Sequence, residues 1–451
     1  FILRVEDTDL DRNVVGAEAA VFADLEWLGL EPDEAPGGHG RSERGAHGPY
    51  RQSERLAIYR DHADRLVAAG VAYPCFCTPE ELEAKREAAL ARGDKPHYDG
   101  TCRRRDPDEV RALLEAGAPA SVRFGVPKDG TITFDDAVRG SISFDAAEIG
   151  DFILLRPDGV PTYNFAVVVD DALMEITHVI RGVGHLSNTP RQVLLYRALG
   201  FEPPVFAHMP TVLGPDRQKL SKRHGAQALA DYRKEGYHPD AVINYLSLLS
   251  WSSPSGDEVL DRDRLVREVS LDRVGVADVV FDGTKLRWLS GKHIEAMELP
   301  DLVAAIEPFL DRERFPFEGD ALAAAVAAVR SHLTTFAEIN DHLDPFVGVL
   351  DAEGIRARNN LAGDENARNV LKAARARFAD IDPWAQESVN AAIRAAGNDA
   401  GARGRALYEP LRLALTGREH GPPLAAIVFV LGKAAAIRLL DEAIEAVGGN
   451  A

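Results

Sequence analysis

The period of the hydrophobic and polar positions changes along the chain. Apolar, β-forming residues run from Phe1 to Val5 and end in an acid-rich turn. Apolar spacing of helical period then predicts a helix over residues 17–28, and short alternating runs predict strands at 120–124 and 132–134. Longer stretches of helical period follow at 80–92, 321–333 and 424–447.

These patterns divide the chain into five segments. Residues 1–65 and 161–205 alternate strand and helix, as in a doubly wound α/β nucleotide-binding domain. Residues 66–160 differ from both and are predicted to form an α+β insertion that splits this domain. A connecting region covers 206–298, and the alanine- and leucine-rich stretch 299–451 is predicted to be all-helical. The expected fold class is therefore α/β plus all-α, with a split Rossmann-like domain followed by a helical module.

Composition narrows the class of protein. The 451 residues are 45% hydrophobic and 27% charged, and no apolar run approaches the roughly 18 residues of a spanning helix. We expect a soluble, cytoplasmic enzyme with no membrane partner. The net charge of -19 opposes binding of a polyanion by the molecule as a whole. Affinity for nucleic acid follows local basic patches, however, and two such patches lie at 103–105 and 217–223.

The second patch contains the most informative motif, Lys219-Leu220-Ser221-Lys222-Arg223. Two lysines around a serine, with no apolar periodicity and a glycine close behind, predict a mobile cationic loop suited to a triphosphate. Short basic clusters are more often solvated surface, so this motif indicates a function only together with the other motifs of the chain.

Several further motifs stand in a fixed order with this loop. They are Arg4-Val5-Glu6-Asp7-Thr8-Asp9, 47–55, Pro161-Thr162-Tyr163-Asn164-Phe165-Ala166, Val167 to Asp171, Ile180-Arg181-Gly182 and His185 to Pro190. Together with the lysine loop they closely resemble the bacterial-type glutamyl-tRNA synthetases, which are class I aminoacyl-tRNA synthetases. The resemblance is collinear over essentially the whole chain.

The resemblance implies a reaction, its partners and a domain layout. Glutamate and ATP, with Mg²⁺ as the charge partner of ATP, would give glutamyl-adenylate, and the glutamyl group would pass to the terminal adenosine of tRNA(Glu). Such a reaction needs no protein nucleophile, so we expect positioning groups and phosphate-stabilising groups. The resemblance also implies that 66–160 grips the tRNA acceptor end, 206–298 contacts the stem and 299–451 reads the anticodon. A monomer is the family default.

Site residues follow from the same resemblance. Arg181 is assigned to the glutamate side-chain carboxylate, because a guanidinium matches it in bidentate fashion. Tyr163 would supply a hydroxyl to the substrate and Glu6 a carboxylate to its amino group. The plainer alternatives are an arginine pairing at a strand end, a core tyrosine and a helix-start acid. Lys219, Ser221 and Lys222 are the expected catalytic residues, and Lys219, Leu220, Lys222 and His185 are expected to bind ATP.

The cysteines form a motif of their own, Cys75-Phe76-Cys77 with Cys102 downstream. Thiolates at this spacing predict a structural zinc site, completed by Tyr98 or water, with His97 as an alternative fourth ligand. The spacing is similar to a zinc knuckle in some members of the synthetase group. Otherwise the cysteines are partly buried thiols.

Two departures from the family pattern lead to alternatives. Val183 and Gly184 replace two family carboxylates near the adenosine pocket. A Pro-Ser-Pro-Thr-Gly…His-x-Gly-His signature, with which family members open, is not found upstream of Phe1. We therefore expect the 451-residue chain to bind tRNA weakly and to activate glutamate poorly. The alternatives are a catalytically impaired tRNA-binding paralogue or fragment, and a glutamyl transferase acting on a modified tRNA base, which would normally lack the helical module.

Overall fold

The computed structural model of the chain describes residues 1–9, 14, 16–220 and 227–448. It consists of two compact units. The first unit contains Phe1–Ala226 and Ser247–Phe281, and the second contains Gln227–Leu246 and Asp282–Ala451. This two-way division is coarser than the five segments inferred from the sequence, whose boundaries stay a prediction.

The helices are numbered along the chain. They are α1 Ala17–Trp27, α2 Leu56–Ala68, α3 Pro79–Ala91, α4 Pro107–Glu115, α5 Tyr163–Leu173, α6 Thr189–Leu199, α7 Leu229–Lys234, α8 Pro239–Leu248, α9 Arg262–Glu268, α10 Gly283–Ala296, α11 Leu299–Ile306, α12 Gly319–Val329, α13 Ile339–His342, α14 Ala352–Asn359, α15 Glu365–Ala379, α16 Gln386–Asp399, α17 Arg405–Thr416 and α18 Leu424–Gly448.

The strands lie in the first unit. They are β1 Ala72–Cys75, β2 Ser121–Phe124, β3 Thr131–Asp136, β4 Gly140–Asp145, β5 Phe152–Leu155, β6 His178–Gly182, β7 Val205–Met209, β8 Val212–Leu213 and β9 Val279–Val280.

One sheet carries the site described below. Its strand order is β4-β3-β7-β6, in which β6 and β7 are parallel and β3 and β4 form an antiparallel hairpin. The hairpin joins β7 in parallel where Asp136 pairs with Phe206. Strands from the 66–160 segment and strands from later in the chain therefore share one sheet. A second sheet has the order β1-β2-β5 and is antiparallel, and β8 pairs in parallel with β9.

The core of the first unit fixes the two helices that border this sheet. In α5, Phe165, Ala166, Val168 and Val169 are all fully buried, so this helix is apolar on nearly every side. Helix α6 begins with a proline in its first turn and ends at Gly200, whose left-handed backbone closes the helix. Burial of these apolar faces is the main force that holds both helices in place.

The second unit is helical in its described part and has two apolar clusters. One is formed by α15 to α18, and the other by α10 to α13 with the first part of α18. Helix α18 contributes to both clusters, and its helical backbone is interrupted at Gly432, which has a φ of 78° and a ψ of 160°. No helix in the described ranges is long and apolar enough to cross a membrane.

The structure confirms most of the elements that the periodic patterns predict. The helices expected at 17–28, 80–92, 321–333 and 424–447 correspond to α1, α3, α12 and α18. The apolar run from Phe1 differs, because within the part of the chain that the structure describes it makes only isolated bridges, from Ile2 to Glu34 and from Val5 to Arg51. Its partners are irregular loop segments, so no continuous ladder forms.

Candidate active site

Arg181 lies near the carboxyl end of β6, opposite His208 on β7. Its Nε donates to Nε2 of His208 at 3.2 Å, and its Nη2 donates to Thr189 Oγ1 at 2.8 Å and to Gln192 Oε1 at 2.7 Å. All three acceptors are neutral, and no carboxylate of the described residues forms an ion pair with Arg181. The guanidinium is thus fixed along one edge while its charge is left uncompensated.

Tyr163 is the first residue of α5 and lies beside this arginine. Its hydroxyl is 3.3 Å from Nδ1 of His185, and the two rings are 5.8 Å apart. Burial raises the pKa of Tyr163, and the nearby charge of Arg181 opposes that rise. The phenol is therefore neutral and can donate a hydrogen bond at ordinary pH. The ring remains 39% exposed, which argues against a pure core role.

Glu6, the third of these predicted residues, lies in the N-terminal segment. Arg4 holds it, with Nη2 3.2 Å from Glu6 Oε1, and the same guanidinium donates from Nη1 to Asp171 Oδ1 at 2.7 Å. The charges of Glu6 and Arg181 both act on the hydroxyl of Tyr163. Both residues are therefore near Tyr163, and the assignment of the three residues to glutamate stays a prediction.

Behind them lies a buried polar network centred on Asp170, which is fully buried at the end of α5. Its carboxylate accepts hydrogen bonds from Gln52 Nε2 at 2.9 Å, Arg55 Nε at 2.7 Å and the hydroxyl of Tyr59 at 2.8 Å. Arg4 Nε is 3.7 Å away. The network ties α2 and α5 to the segment that carries Glu6.

A second buried pair, Asp136 and His208, contacts Arg181 through the imidazole of His208. His208 Nδ1 is 2.5 Å from Asp136 Oδ2, and both side chains are completely inaccessible to solvent. Asp136 also accepts hydrogen bonds from the backbone N–H groups of Val138, Arg139 and His208. Burial lowers the pKa of His208, so the imidazole is neutral.

The lysine loop is described as far as Leu220. Leu220 N donates to Val212 O and Gly214 N donates to Gln218 O, at 2.9 Å and 2.8 Å, so the chain forms a tight turn after β8. Lys219 is exposed next to this turn. Ser221 and Lys222 lie outside the described residues, and the expected mobility of the loop stays a prediction.

His185 and the two altered positions lie in one short helical segment, Val183–Asn188. His185 contacts Tyr163, which is assigned to glutamate. Its expected role in ATP binding stays a prediction.

The cysteines form a compact cluster. The Sγ atoms of Cys75, Cys77 and Cys102 all lie within 4.8 Å of one another, and Cys77 and Cys102 are 3.6 Å apart. The hydroxyl of Tyr98 is 3.5 Å from the sulfur of Cys75 and 3.4 Å from that of Cys77. His97 instead has its ring against Gly150, where Nδ1 would meet an added Cβ at 2.8 Å. Tyr98 therefore lies next to the sulfur atoms, and its role as the fourth ligand stays a prediction.

Protonation within the cluster is uneven. Burial raises the pKa of Cys77 to about 11. Burial also opposes ionisation of Cys102, but hydrogen bonds from the hydroxyl of Tyr98 and the backbone N–H of Phe76 lower its pKa to about 7. The donor set suits zinc, since two thiolates on one tetrahedral Zn²⁺ with Zn–S bonds of about 2.3 Å stand about 3.8 Å apart.

Grooves elsewhere offer less chemistry. One of about 830 Å³ lies in the second unit, and both arginines of its lining pair with Asp344, Arg314 at 2.6 Å from Oδ1 and Arg418 at 3.6 Å from Oδ2. None of the predicted site residues lines it.

Sequence reasoning missed several residues of the site. Asp171 and Thr189 stand inside motifs that drew attention for other reasons, and Arg4 is two positions before Glu6. Gln192, Asp136 and His208 carry no local signal, because their roles depend on strands and helices that meet only in the folded chain.

Comparison with known proteins identifies the family of the chain. The family described as tRNA synthetases class I (E and Q), catalytic domain, matches residues 1–288, and an anticodon binding domain matches residues 301–444. A glutamate–tRNA ligase of Carboxydothermus hydrogenoformans is 43% identical, over 97% of this chain and 91% of the relative. One of Heliobacterium modesticaldum is also 43% identical, over 99% of this chain and 90% of the relative.

A solved structure is similar as well. The crystal structure of a glutamate tRNA ligase from Elizabethkingia meningosepticum, in complex with its amino acid, superposes with a TM-score of 0.83 and 31% identity, covering 99% of this chain and 92% of that one. The helical module predicted at 299–451 corresponds to the matched anticodon binding domain. The chain belongs to the class I tRNA synthetases for glutamate and glutamine, within the family of the glutamate–tRNA ligases.

Proposed function

We propose that the protein activates L-glutamate with ATP to glutamyl-adenylate and pyrophosphate, and then transfers the glutamyl group to the 3'-terminal adenosine of tRNA(Glu). The observation that carries the proposal is the uncompensated guanidinium of Arg181, held by neutral acceptors beside Tyr163. Such a group selects a carboxylate ligand. Family membership supplies the class of reaction.

In this proposal the substrate side chain lies against Arg181 and Tyr163, and its amino group lies against Glu6. The acid of Glu6 suits an ammonium group, and Arg4 orients its carboxylate through a hydrogen bond. The α-carboxylate of glutamate then attacks the α-phosphate of ATP, so the protein orients both substrates and supplies no nucleophile.

ATP enters with Mg²⁺ on its phosphates. We assign Lys219, Lys222 and Ser221 to stabilisation of the phosphate charge, with Leu220 and His185 also contributing to ATP binding. Lysine ammonium groups on a loop meet this need because they act as adaptable point charges.

Zinc would be held by Cys75, Cys77, Cys102 and Tyr98. When bound, it cross-links β1 to the loop that carries Cys102 and so contributes to folding rather than to chemistry. Support comes from the closeness of the three sulfur atoms, all within 4.8 Å of one another, and from the 3.6 Å between those of Cys77 and Cys102.

The acceptor end of the tRNA is assigned to a groove of about 490 Å³ next to the cysteine cluster. Its lining includes Arg123, Arg191 and the amide of Asn164. A basic groove with polar amides suits a single-stranded phosphate backbone. Residues 206–298 are assigned to the tRNA stem. We further propose a monomer that works in the cytoplasm, where charged tRNA is used.

The test replaces Arg181 by lysine. Loss of the planar fork should cost about 2 kcal/mol, or raise the glutamate concentration for half-maximal charging roughly 30-fold. The ATP dependence should stay unchanged. Arg197→Lys is the matched control, because Arg197 is exposed on α6 and donates only to the backbone carbonyl of Thr133. Equal effects of Arg181→Lys on glutamate and ATP would remove Arg181 from the glutamate site.

A further inference from the structure

The buried pair Asp136 and His208 is not accounted for by substrate contacts. Neither side chain reaches solvent, and their contact at 2.5 Å joins β3 to β7. A buried carboxylate is costly unless it is fully hydrogen-bonded. Here it is, because it accepts from the imidazole and from backbone N–H groups.

The pair fixes one tautomer of the imidazole. Since Asp136 is an acceptor, Nδ1 of His208 must carry the proton, which leaves a lone pair on Nε2. That lone pair faces Nε of Arg181 at 3.2 Å and the hydroxyl of Thr189 at 3.0 Å. A guanidinium can only donate, so the arginine demands the same tautomer that the carboxylate imposes.

Thr189 closes a ring of hydrogen bonds. Its hydroxyl donates to His208 Nε2 and accepts from Arg181 Nη2 at 2.8 Å. Gln192 Oε1 accepts from the same Nη2 at 2.7 Å, and its amide nitrogen donates to Asn164. Three contacts therefore set both the position and the plane of the guanidinium.

We propose that Asp136 and His208 are positioning residues for glutamate binding, which orient Arg181 through a neutral imidazole and so keep the protein's own carboxylate out of the substrate-carboxylate position. The inference rests on the proposed role of Arg181 in binding glutamate. A carboxylate placed directly against the guanidinium would orient it equally well, but it would also compete with the substrate. The intervening imidazole transmits the orientation without the competition.

The first test compares two replacements of His208. Asparagine retains a group near Nδ1 for Asp136 but does not reach Arg181, whereas glutamine places an amide oxygen near the position of Nε2. We expect His208→Asn to raise the KM for glutamate about tenfold with the KM for ATP unchanged, and His208→Gln to recover part of that loss. A merely structural role would instead lower kcat and leave both KM values unchanged, which would overturn the proposal.

The second test does not depend on replacing the buried imidazole. Gln192→Glu puts a carboxylate on Arg181 in a side chain of nearly the same shape. We expect the KM for glutamate to rise about tenfold or more, again without an effect on ATP. An unchanged KM for glutamate would show that a carboxylate next to Arg181 does not compete, and the proposal would fail.

A double-mutant cycle separates this proposal from the proposed function. If His208 acts through Arg181, the effects of His208→Asn and Arg181→Lys on the KM for glutamate are not additive. If Arg181→Lys alone has no effect, the assignment of the glutamate site is wrong. If Arg181→Lys weakens glutamate use and His208→Asn does not, only the positioning role is wrong.

Discussion

Replacing Asp170 by asparagine tests whether its buried carboxylate holds α2 and α5 together in the first unit. In the native protein, the buried carboxylate lies 2.7 Å from Arg55 Nε, and the side chain of Arg55 is only 2% exposed. It also accepts from Gln52 and from the hydroxyl of Tyr59. The substitution changes almost no volume but removes the charge opposite Arg55. It also brings an N–H group towards side chains that themselves donate.

The expected loss of stability follows from the buried charge of Arg55, which is left without a carboxylate partner. Removing one partner of a buried ion pair costs about 3 kcal/mol or more, because the other charge stays in a poorly solvated place. Arg55 then retains only neutral acceptors among the described residues, the carbonyl of Pro49 at 3.0 Å and the amide oxygen of the new side chain. Three kcal/mol is roughly a 100-fold change in an opening equilibrium.

Hydrogen–deuterium exchange resolved by mass spectrometry measures this change locally. Amides of α2 and α5 should exchange roughly 100-fold faster in Asp170→Asn, while the helices of the second unit stay unchanged. Glu83→Gln is the control, since Glu83 pairs with Arg86 on the exposed side of α3. It should leave α2 and α5 at the native rate. Native exchange in Asp170→Asn would refute the view that this carboxylate holds the two helices.

The other predictions concern the proposed ligands. Purified protein should contain about one equivalent of zinc. The Cys102→Ser variant should lose the zinc together with protection from hydrogen exchange around β1. Metal-free protein with unchanged protection would exclude the zinc site. Lys219→Ala should raise the ATP concentration for half-maximal charging about tenfold with little effect on glutamate, whereas Lys128→Ala, at an exposed lysine on another loop, should change neither. Glu6→Gln should raise the KM for glutamate about tenfold, and an equal rise for ATP would argue against contact with the amino group.

Much of the fold was accessible from the sequence because its signals are local. Helices α3, α12 and α18 repeat apolar residues at helical spacing, and that spacing does not depend on distant partners. The cysteine cluster was accessible in part for a similar reason, since Cys75 and Cys77 are two positions apart, whereas Cys102 lies 25 positions after Cys77.

The residues that hold Arg181 in place could not be predicted from local sequence patterns. Asp136 and His208 are 72 positions apart and meet only because β3 lies beside β7. Strand order cannot be read from alternation of apolar residues, and neither residue belongs to a conspicuous motif. The run from Phe1 has a clear β propensity in the sequence. The sequence did not indicate that its partners are irregular segments, with which it forms isolated bridges.

The position of β3 sets a boundary for domain exchange. Because Thr131–Asp136 forms a strand of the sheet that bears Arg181, residues 66–160 are not a self-contained module that can be swapped between relatives. A chimera that exchanged the whole block would import a foreign carboxylate beneath the native His208. Leaving β3 and β4 with their own sheet would keep the pair matched. On the proposed roles of this block and of Arg181, changes in β3 would bear on glutamate recognition as well as on tRNA binding.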